Sequence, residues 1–155
     1  MKKQDYSTTF VAKKNAKEVF KGINRVSAWW TENIEGNSGK LNDIFTVHFA
    51  ETFVTFKITE AISEKKVVWL VTDCYLHWLK GKKEWKDSKI VFEISEQKDG
   101  TRINFTHVGL TPEIECYNDC VKGWDQYIKE SLFKLITEGK GHPERKKMEA
   151  TGTTA

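Results

Sequence analysis

His107 is the residue in this sequence whose position most suggests chemistry. It alternates with Ile103 and Phe105 along a predicted strand, so its imidazole shares a face with apolar side chains. An imidazole placed there can orient a ligand or act as an acid or base near neutral pH. The alternative is a structural histidine hydrogen-bonded to the backbone or to a hydroxyl, because buried polar groups are normally paired.

Two carboxylates could accompany His107. Asp73 shares strand parity with Val67 and Trp69, and Glu84 lies beside Trp85. A carboxylate facing His107 would complete the orienting pair that a cyclase or hydrolase needs. The alternative is that both lie at exposed strand ends, because Asp and Glu are rarely buried.

Large aromatic side chains are abundant: the chain has 9 Phe, 6 Trp and 4 Tyr. Such rings can fill a core or line a pocket, and composition does not separate the two. Trp69 and Trp124 are predicted core residues. For Trp30 and Trp85, which lie near element ends, filling the core and lining a pocket remain equally good interpretations.

The cysteines do not indicate a metal site. Cys116 and Cys120 lie four residues apart, but zinc needs three or four ligands and no second pair with suitable spacing occurs. Residues one helical turn apart rarely reach disulfide geometry, so we predict that these two and Cys74 are free thiols. No phosphate-binding loop and no hydrolase or metalloprotease motif is present, and we expect no cofactor.

The length, the net charge and the distribution of apolar residues exclude several classes of protein. A formal net charge of +3 is too mild to indicate a nucleic-acid partner. Neither a run of 18 apolar residues nor an apolar segment after Met1 occurs, which predicts a cytoplasmic protein without a membrane span or secretory signal. We predict one domain over residues 1–143 and a flexible, charged and Thr-rich tail over 144–155.

The periodicity predicts a mixed α and β chain. A strand at Tyr6–Val11 precedes a helix over Ala16–Ile23 capped by Asn15, then a helical turn at Val26–Trp30 and a loop over Asn33–Asp43. Alternating strands with short links then predict an antiparallel meander over residues 45–49, 54–58, 67–73, 90–94 and 101–108.

A long amphipathic helix is predicted to close the chain. Thr111-Pro112-Glu113 is typical of a helix start, and apolar residues from Ile114 to Leu135 recur every three or four positions. We predict a continuous helix from about Asn118 to Glu138, packed on the sheet and ended by the glycine that follows.

The order of these elements and several motifs resemble one family. The motifs are Glu18-Val19-Phe20 followed by Trp29-Trp30, then Val68-Trp69, and Thr106 to Leu110 with the later Gly123-Trp124, Leu132, Leu135 and Gly139. They resemble the motifs of the activator-of-Hsp90-ATPase-like branch of the START/SRPBCC superfamily. The resemblance covers about residues 6 to 141. The chain departs from the family pattern at Asn42, where glycine is usual. No part of the sequence resembles the additional N-terminal domain of the eukaryotic activator.

The resemblance implies an α+β helix-grip fold. In that fold a curved antiparallel β-sheet is wrapped around a long C-terminal α-helix, with two short helices after the first strand. It also implies an elongated, mainly apolar cavity for lipids, sterols, polyketides or similar molecules. Inward strand parity and the helix stripe then give an expected lining with His107 as its polar contact: Trp30, Phe45, Val47, Phe56, Trp69, Trp85, Phe92, Phe105 and Trp124.

The leading hypothesis is a binding protein for a small hydrophobic or amphipathic ligand, acting without catalysis as a monomer or weak dimer. One alternative is a polyketide-cyclase-like or hydrolytic enzyme that uses His107 with Asp73 or Glu84. Another is an interaction module with a chaperone partner.

Overall fold

The computed structural model describes residues 5–49, 51–77, 80, 82–112 and 117–143. The seven strands are β1 (Tyr6–Ala12), β2 (Ile34–Gly36), β3 (Ile44–Phe49), β4 (Thr52–Ile62), β5 (Lys66–Tyr75), β6 (Lys89–Gln97) and β7 (Gly100–Val108). Two short helices, α1 (Ala16–Asn24) and α2 (Val26–Trp29), follow β1. The chain closes with α3 (Tyr117–Trp124), a π-helical segment (Asp125–Leu132) and α4 (Phe133–Glu138), together called the C-terminal helix.

All strands belong to one antiparallel sheet with the order β1-β7-β6-β5-β4-β3-β2. Alternate residues of neighbouring strands meet on its core face, as in the register pairs Phe92–Phe105 and Phe45–Phe56. The C-terminal helix buries Trp124, Ile128 and Leu132. The predicted α+β helix-grip fold is therefore confirmed.

The region predicted as a loop over Asn33–Asp43 contains a short strand, so that part of the prediction was wrong. β2 pairs with β3, and a Cβ on Gly36 would lie 2.2 Å from the carbonyl oxygen of Ile44. Such a three-residue strand has too few positions for an alternating pattern. Asn42 has a φ of 70°. It thus keeps the left-handed backbone that glycine favours, and asparagine is one of the residues that tolerate it.

A β-bulge in β5 changes which side chains face the core. Thr55 pairs with Asp73 but Phe56 pairs with Val71, so Thr72 is an extra residue opposite β4. Beyond the bulge Cys74 is buried and Asp73 lies on the outer face. The prediction that Asp73 shares a face with Val67 and Trp69 was therefore wrong, because one inserted residue reverses strand parity.

The C-terminal helix is continuous from Tyr117 to Glu138, which confirms the predicted helix from Asn118. Gly139 ends it with a φ of 83°, and its N–H donates to the carbonyl of Leu135 at 3.0 Å. Spacing of three to four residues does not distinguish a π segment from an α-helix, so the π segment was not predicted. Glu113 and Ile114 of the predicted helix start, and the predicted tail 144–155, lie outside the described residues.

A layer of tryptophans fills the space between α2 and the sheet. The rings of Trp29, Trp30 and Trp69 stack with centroids 5.9–6.3 Å apart. Phe92 packs edge-on against Trp69 at 5.1 Å. The centre of the core face is thus filled by aromatic rings.

Within the described residues, no helix is both long and apolar enough to cross a membrane.

Candidate functional site

An apolar cavity of about 250 Å³ lies between the C-terminal helix and the β4–β5 part of the sheet. Three elements of the fold bound this cavity: the end of α2, the sheet and the first turns of the C-terminal helix. Its lining residues are Trp30, Phe49, Thr52, Val54, Leu76, Trp85, Asp119, Cys120, Gly123, Trp124 and Tyr127.

Five aromatic side chains form a continuous series around this cavity. Trp85 stacks on Trp124 with centroids 5.8 Å apart, and Trp124 contacts Trp30 at 5.0 Å. Trp30 then contacts Phe49 at 5.7 Å, and Phe49 contacts Tyr127 at 6.3 Å. Each ring is supported by the next, so the wall is built by contacts between distant parts of the chain.

Trp30 is placed by the junction between α2 and the C-terminal helix. The buried hydroxyl of Ser131 donates to the carbonyl of Trp29 at 2.6 Å and accepts from the N–H of His142 at 2.7 Å. A Cβ on Gly141 would lie 2.6 Å from the carbonyl oxygen of Ala28, so the segment after α4 packs directly against α2. This junction positions α2, and with it the indole of Trp30 at the cavity.

His107 lies behind the cavity wall and holds two of its tryptophans. The indole N–H of Trp124 donates to His107 Nδ1 at 3.1 Å, which leaves the ring proton on Nε2. Nε2 lies 3.0 Å from the hydroxyl of Ser88, and that hydroxyl donates to the carbonyl of Trp85 at 2.6 Å. The ring of Trp85 also packs edge-on against His107 at 4.6 Å. His107 therefore connects Trp124 to the turn before β6, which carries Trp85.

The same surroundings keep His107 neutral. The side chain is buried, and this burial lowers the pKa of His107 from 6.5 to about 3. Both ring nitrogens already have partners within the protein. The imidazole therefore has no lone pair available to a substrate, and the geometry assigns it the structural role that the sequence left as an alternative.

The two candidate carboxylates do not join His107. The Asp73 carboxylate accepts from Lys83 Nζ at 2.8 Å on the outer face of the sheet, and this hydrogen bond, followed by one from the Cys74 N–H, holds the pKa of Asp73 below its ordinary value. Glu84 is partly exposed beside Trp85. The hydrogen-bond partners of the His107 ring are Trp124 and Ser88 rather than a carboxylate.

The residues expected to line a ligand cavity fall into two groups. Trp30, Trp85 and Trp124 line the cavity described above. The other expected residues are buried in the core and are not among the lining residues: Phe45, Val47, Phe56, Trp69, Phe92 and Phe105.

Several lining residues were not predicted from the sequence. Phe49 and Val54 carried a signal, because they alternate with other core residues of their predicted strands. Tyr127 and Gly123 lie outside the apolar stripe of the helix, and no periodic pattern selects them.

Cys120 lines the cavity and is disulfide-bonded, so the prediction of three free thiols was wrong. Cys74 is free and buried. That prediction assumed one regular helix through positions 116 and 120, whereas the described helix begins at Tyr117. Cys116 lies outside the described residues. Across the part of the chain that the structure describes, no three His, Cys, Asp or Glu side chains group as metal ligands.

Comparison with known proteins identifies one matching family and several solved structures with a similar fold. The family model for activator of Hsp90 ATPase homolog 1-like protein matches residues 18–137. The solution structure of the Aha1 dimer from Colwellia psychrerythraea is similar with a TM-score of 0.73 at 20% identity, covering 89% of this chain and 99% of that one. Protein MLL2253 from Mesorhizobium loti is similar with a TM-score of 0.70 at 10% identity, covering 86% of this chain and 96% of that one.

CalU16 from Micromonospora echinospora is also similar, with a TM-score of 0.64 at 16% identity, covering 88% of this chain and 75% of that one. No curated protein matches the chain significantly. Identities this low show a shared fold and do not carry a ligand or activity across.

Proposed function

The chain belongs to the activator of Hsp90 ATPase homolog 1-like protein family, and from this premise we propose that it binds a small apolar or amphipathic molecule in the cavity beside the C-terminal helix. The observation that carries the proposal is the aromatic wall, in which Trp30, Trp85 and Trp124 meet around unfilled space. Concave sites lined by apolar and aromatic side chains with few polar groups are typical of small-molecule binding.

The size of the cavity limits the ligand. Its volume of about 250 Å³ is below the range of roughly 300–1,000 Å³ that is usual for drug-sized ligands. A molecule with one or two rings, or a short branched chain, therefore fits better than a sterol.

Binding without turnover is the function that this arrangement supports best. Catalysis at the cavity would need a group that gives or takes a proton there. The predicted candidate, His107, is neutral and bonded at both nitrogens to Trp124 and Ser88. The one carboxylate of the described lining, Asp119, has no histidine or lysine in that lining to exchange a proton with. Its role is to hold the wall, which stabilises a preformed site.

Gly123 provides a direct test of the cavity. A Cβ built on Gly123 meets no heavy atom within 4 Å, although the residue lines the cavity. Gly123→Leu should therefore place its side chain in the cavity without strain, whereas Gly123→Ala should leave most of the space open. Compounds with one or two apolar rings should raise the melting temperature of the wild type and of Gly123→Ala.

A ligand at a hundredfold excess over its Kd stabilises the folded state by about 2.7 kcal/mol, and Gly123→Leu should lose this response while melting at the same or a higher temperature. The proposal is wrong if no compound shifts the melting of the wild type, or if the shift persists unchanged in Gly123→Leu.

The family description also names Hsp90 ATPase activation, which supports contact with a chaperone as a second candidate function. A stable complex with Hsp90 in a pull-down, retained in Gly123→Leu, would favour this interaction role over ligand binding. Loss of the complex in Gly123→Leu would instead link the two functions.

A further inference from the structure

Resting on the proposed function, we infer that the cavity selects a positively charged apolar molecule, an organic ammonium ion, over neutral or anionic molecules of the same shape. The inference rests on the combination of aromatic walls with a single carboxylate and no basic side chain among the described lining residues.

The walls favour a cation because of the charge distribution of aromatic rings. Five of the lining side chains are aromatic, and three of them are tryptophans. The face of an indole ring carries partial negative charge and attracts an ammonium group within about 6 Å of its centroid. Quaternary ammonium groups are weakly hydrated and apolar on their surface, so they enter such sites at a small desolvation cost.

Asp119 adds a full negative charge to the lining. It lies in the first turn of α3, it is exposed, and no hydrogen bond or ion pair joins its carboxylate to another described residue. A ligand whose ammonium group approaches this carboxylate gains an ion pair, whereas a ligand with a carboxylate or sulfonate is repelled.

No described basic group offsets this charge at the cavity. Lys122 is close in sequence but lines a separate surface depression with Asp125 and Gln126. His107 is uncharged and lies behind Trp124. A fatty acid or another anion would therefore find no counter-ion among the described lining residues.

Three probes with the same number of non-hydrogen atoms test the inference: phenyltrimethylammonium, its neutral isostere tert-butylbenzene and the anion benzenesulfonate. Each is titrated into the full chain, and Kd is read from the shifts of the tryptophan indole N–H signals. We expect phenyltrimethylammonium to bind at least about threefold more tightly than tert-butylbenzene, and benzenesulfonate to bind most weakly. Equal or tighter binding of the neutral or anionic probe overturns the inference but leaves the proposed function standing.

Asp119→Asn tests the contribution of the carboxylate. It should weaken phenyltrimethylammonium binding by about two- to fivefold, as expected for an exposed ion pair, and change tert-butylbenzene binding by less than this. Asp99→Asn, which removes the same charge from the exposed turn between β6 and β7, should change neither affinity. Equal losses in both variants, or no loss in Asp119→Asn, would overturn the role of Asp119. If none of the probes binds the wild type, the proposed function fails as well.

Discussion

At the scale of single residues, the environment of His107 decides its chemistry. Strand alternation correctly placed the imidazole on the core face, beside Ile103 and Phe105. Its partners come from the turn before β6 and from the C-terminal helix, which periodicity cannot bring together. The choice between an acid–base group and a structural group therefore required the three-dimensional contacts with Trp124 and Ser88.

The depressed pKa of His107 predicts a pH dependence of stability. In the unfolded chain this histidine takes up a proton near pH 6.5, but in the folded protein only near pH 3. Unfolding between these values is therefore coupled to proton uptake. The contribution of His107 is complete above pH 6.5 and is lost as the pH falls, by about 1.4 kcal/mol per pH unit.

Urea denaturation of the wild type and of His107→Gln at several pH values checks this prediction. The stability advantage of the wild type should shrink steadily as the pH falls from 6.5 to about 4.5, a range that lies within the window between the two pKa values. A constant difference between wild type and His107→Gln over that window would contradict the assigned environment.

At the scale of elements, regular patterns predicted most boundaries and irregularities limited the rest. The alternation of β4, β6 and β7 was sufficient to place their core faces. The bulge at Thr72 reverses the direction of the side chains that follow it, without a signal in the alternating pattern. This bulge explains why Asp73 was assigned to the wrong face of the sheet, whereas the predicted stripe of Ile128, Leu132 and Leu135 is buried in and beyond the π-helical segment.

The start of the π segment is tied to the edge of the sheet. The Tyr6 hydroxyl on β1 donates to the Asp125 carboxylate, and burial followed by this hydrogen bond raises the pKa of Tyr6. Tyr6→Phe should lower the free energy of unfolding by about 1–2 kcal/mol, since a hydrogen bond to a charged group is lost. Urea denaturation measures the change. Tyr75→Phe, whose hydroxyl has no hydrogen-bond partner in the described chain, should cost less, and equal losses would argue against the Tyr6–Asp125 bond.

At the scale of the whole molecule, the resemblance predicted the fold but not the location of the cavity. The periodicity of the sequence identifies residues that face the core, and all of the expected lining residues are buried. The stacked layer of Trp29, Trp30 and Trp69 fills the centre of that face, so the remaining space lies toward α3. The volume left between large rings depends on how they stack, and periodicity carries no information on that.

The sheet and the C-terminal helix are expected to fold as one unit. A chain ending at Gly123 loses the buried side chains of Trp124, Ile128 and Leu132, and it exposes the apolar face of the sheet. Thermal unfolding of this chain should lose its cooperative transition. A chain ending at Pro143 should melt close to the full-length protein. A sharp transition in the shorter chain would show that the sheet is stable without the helix.

The central claim is that a small apolar molecule occupies the cavity beside Trp30, Trp85 and Trp124. Intermolecular nuclear Overhauser effects between the methyl protons of phenyltrimethylammonium and the protein test it most directly, because they report distances of about 5 Å or less, within the contact range of packed side chains. We predict cross-peaks to the ring protons of these three tryptophans, and their loss in Gly123→Leu. Cross-peaks confined to residues outside the cavity lining, or the same pattern in Gly123→Leu, would contradict the claim.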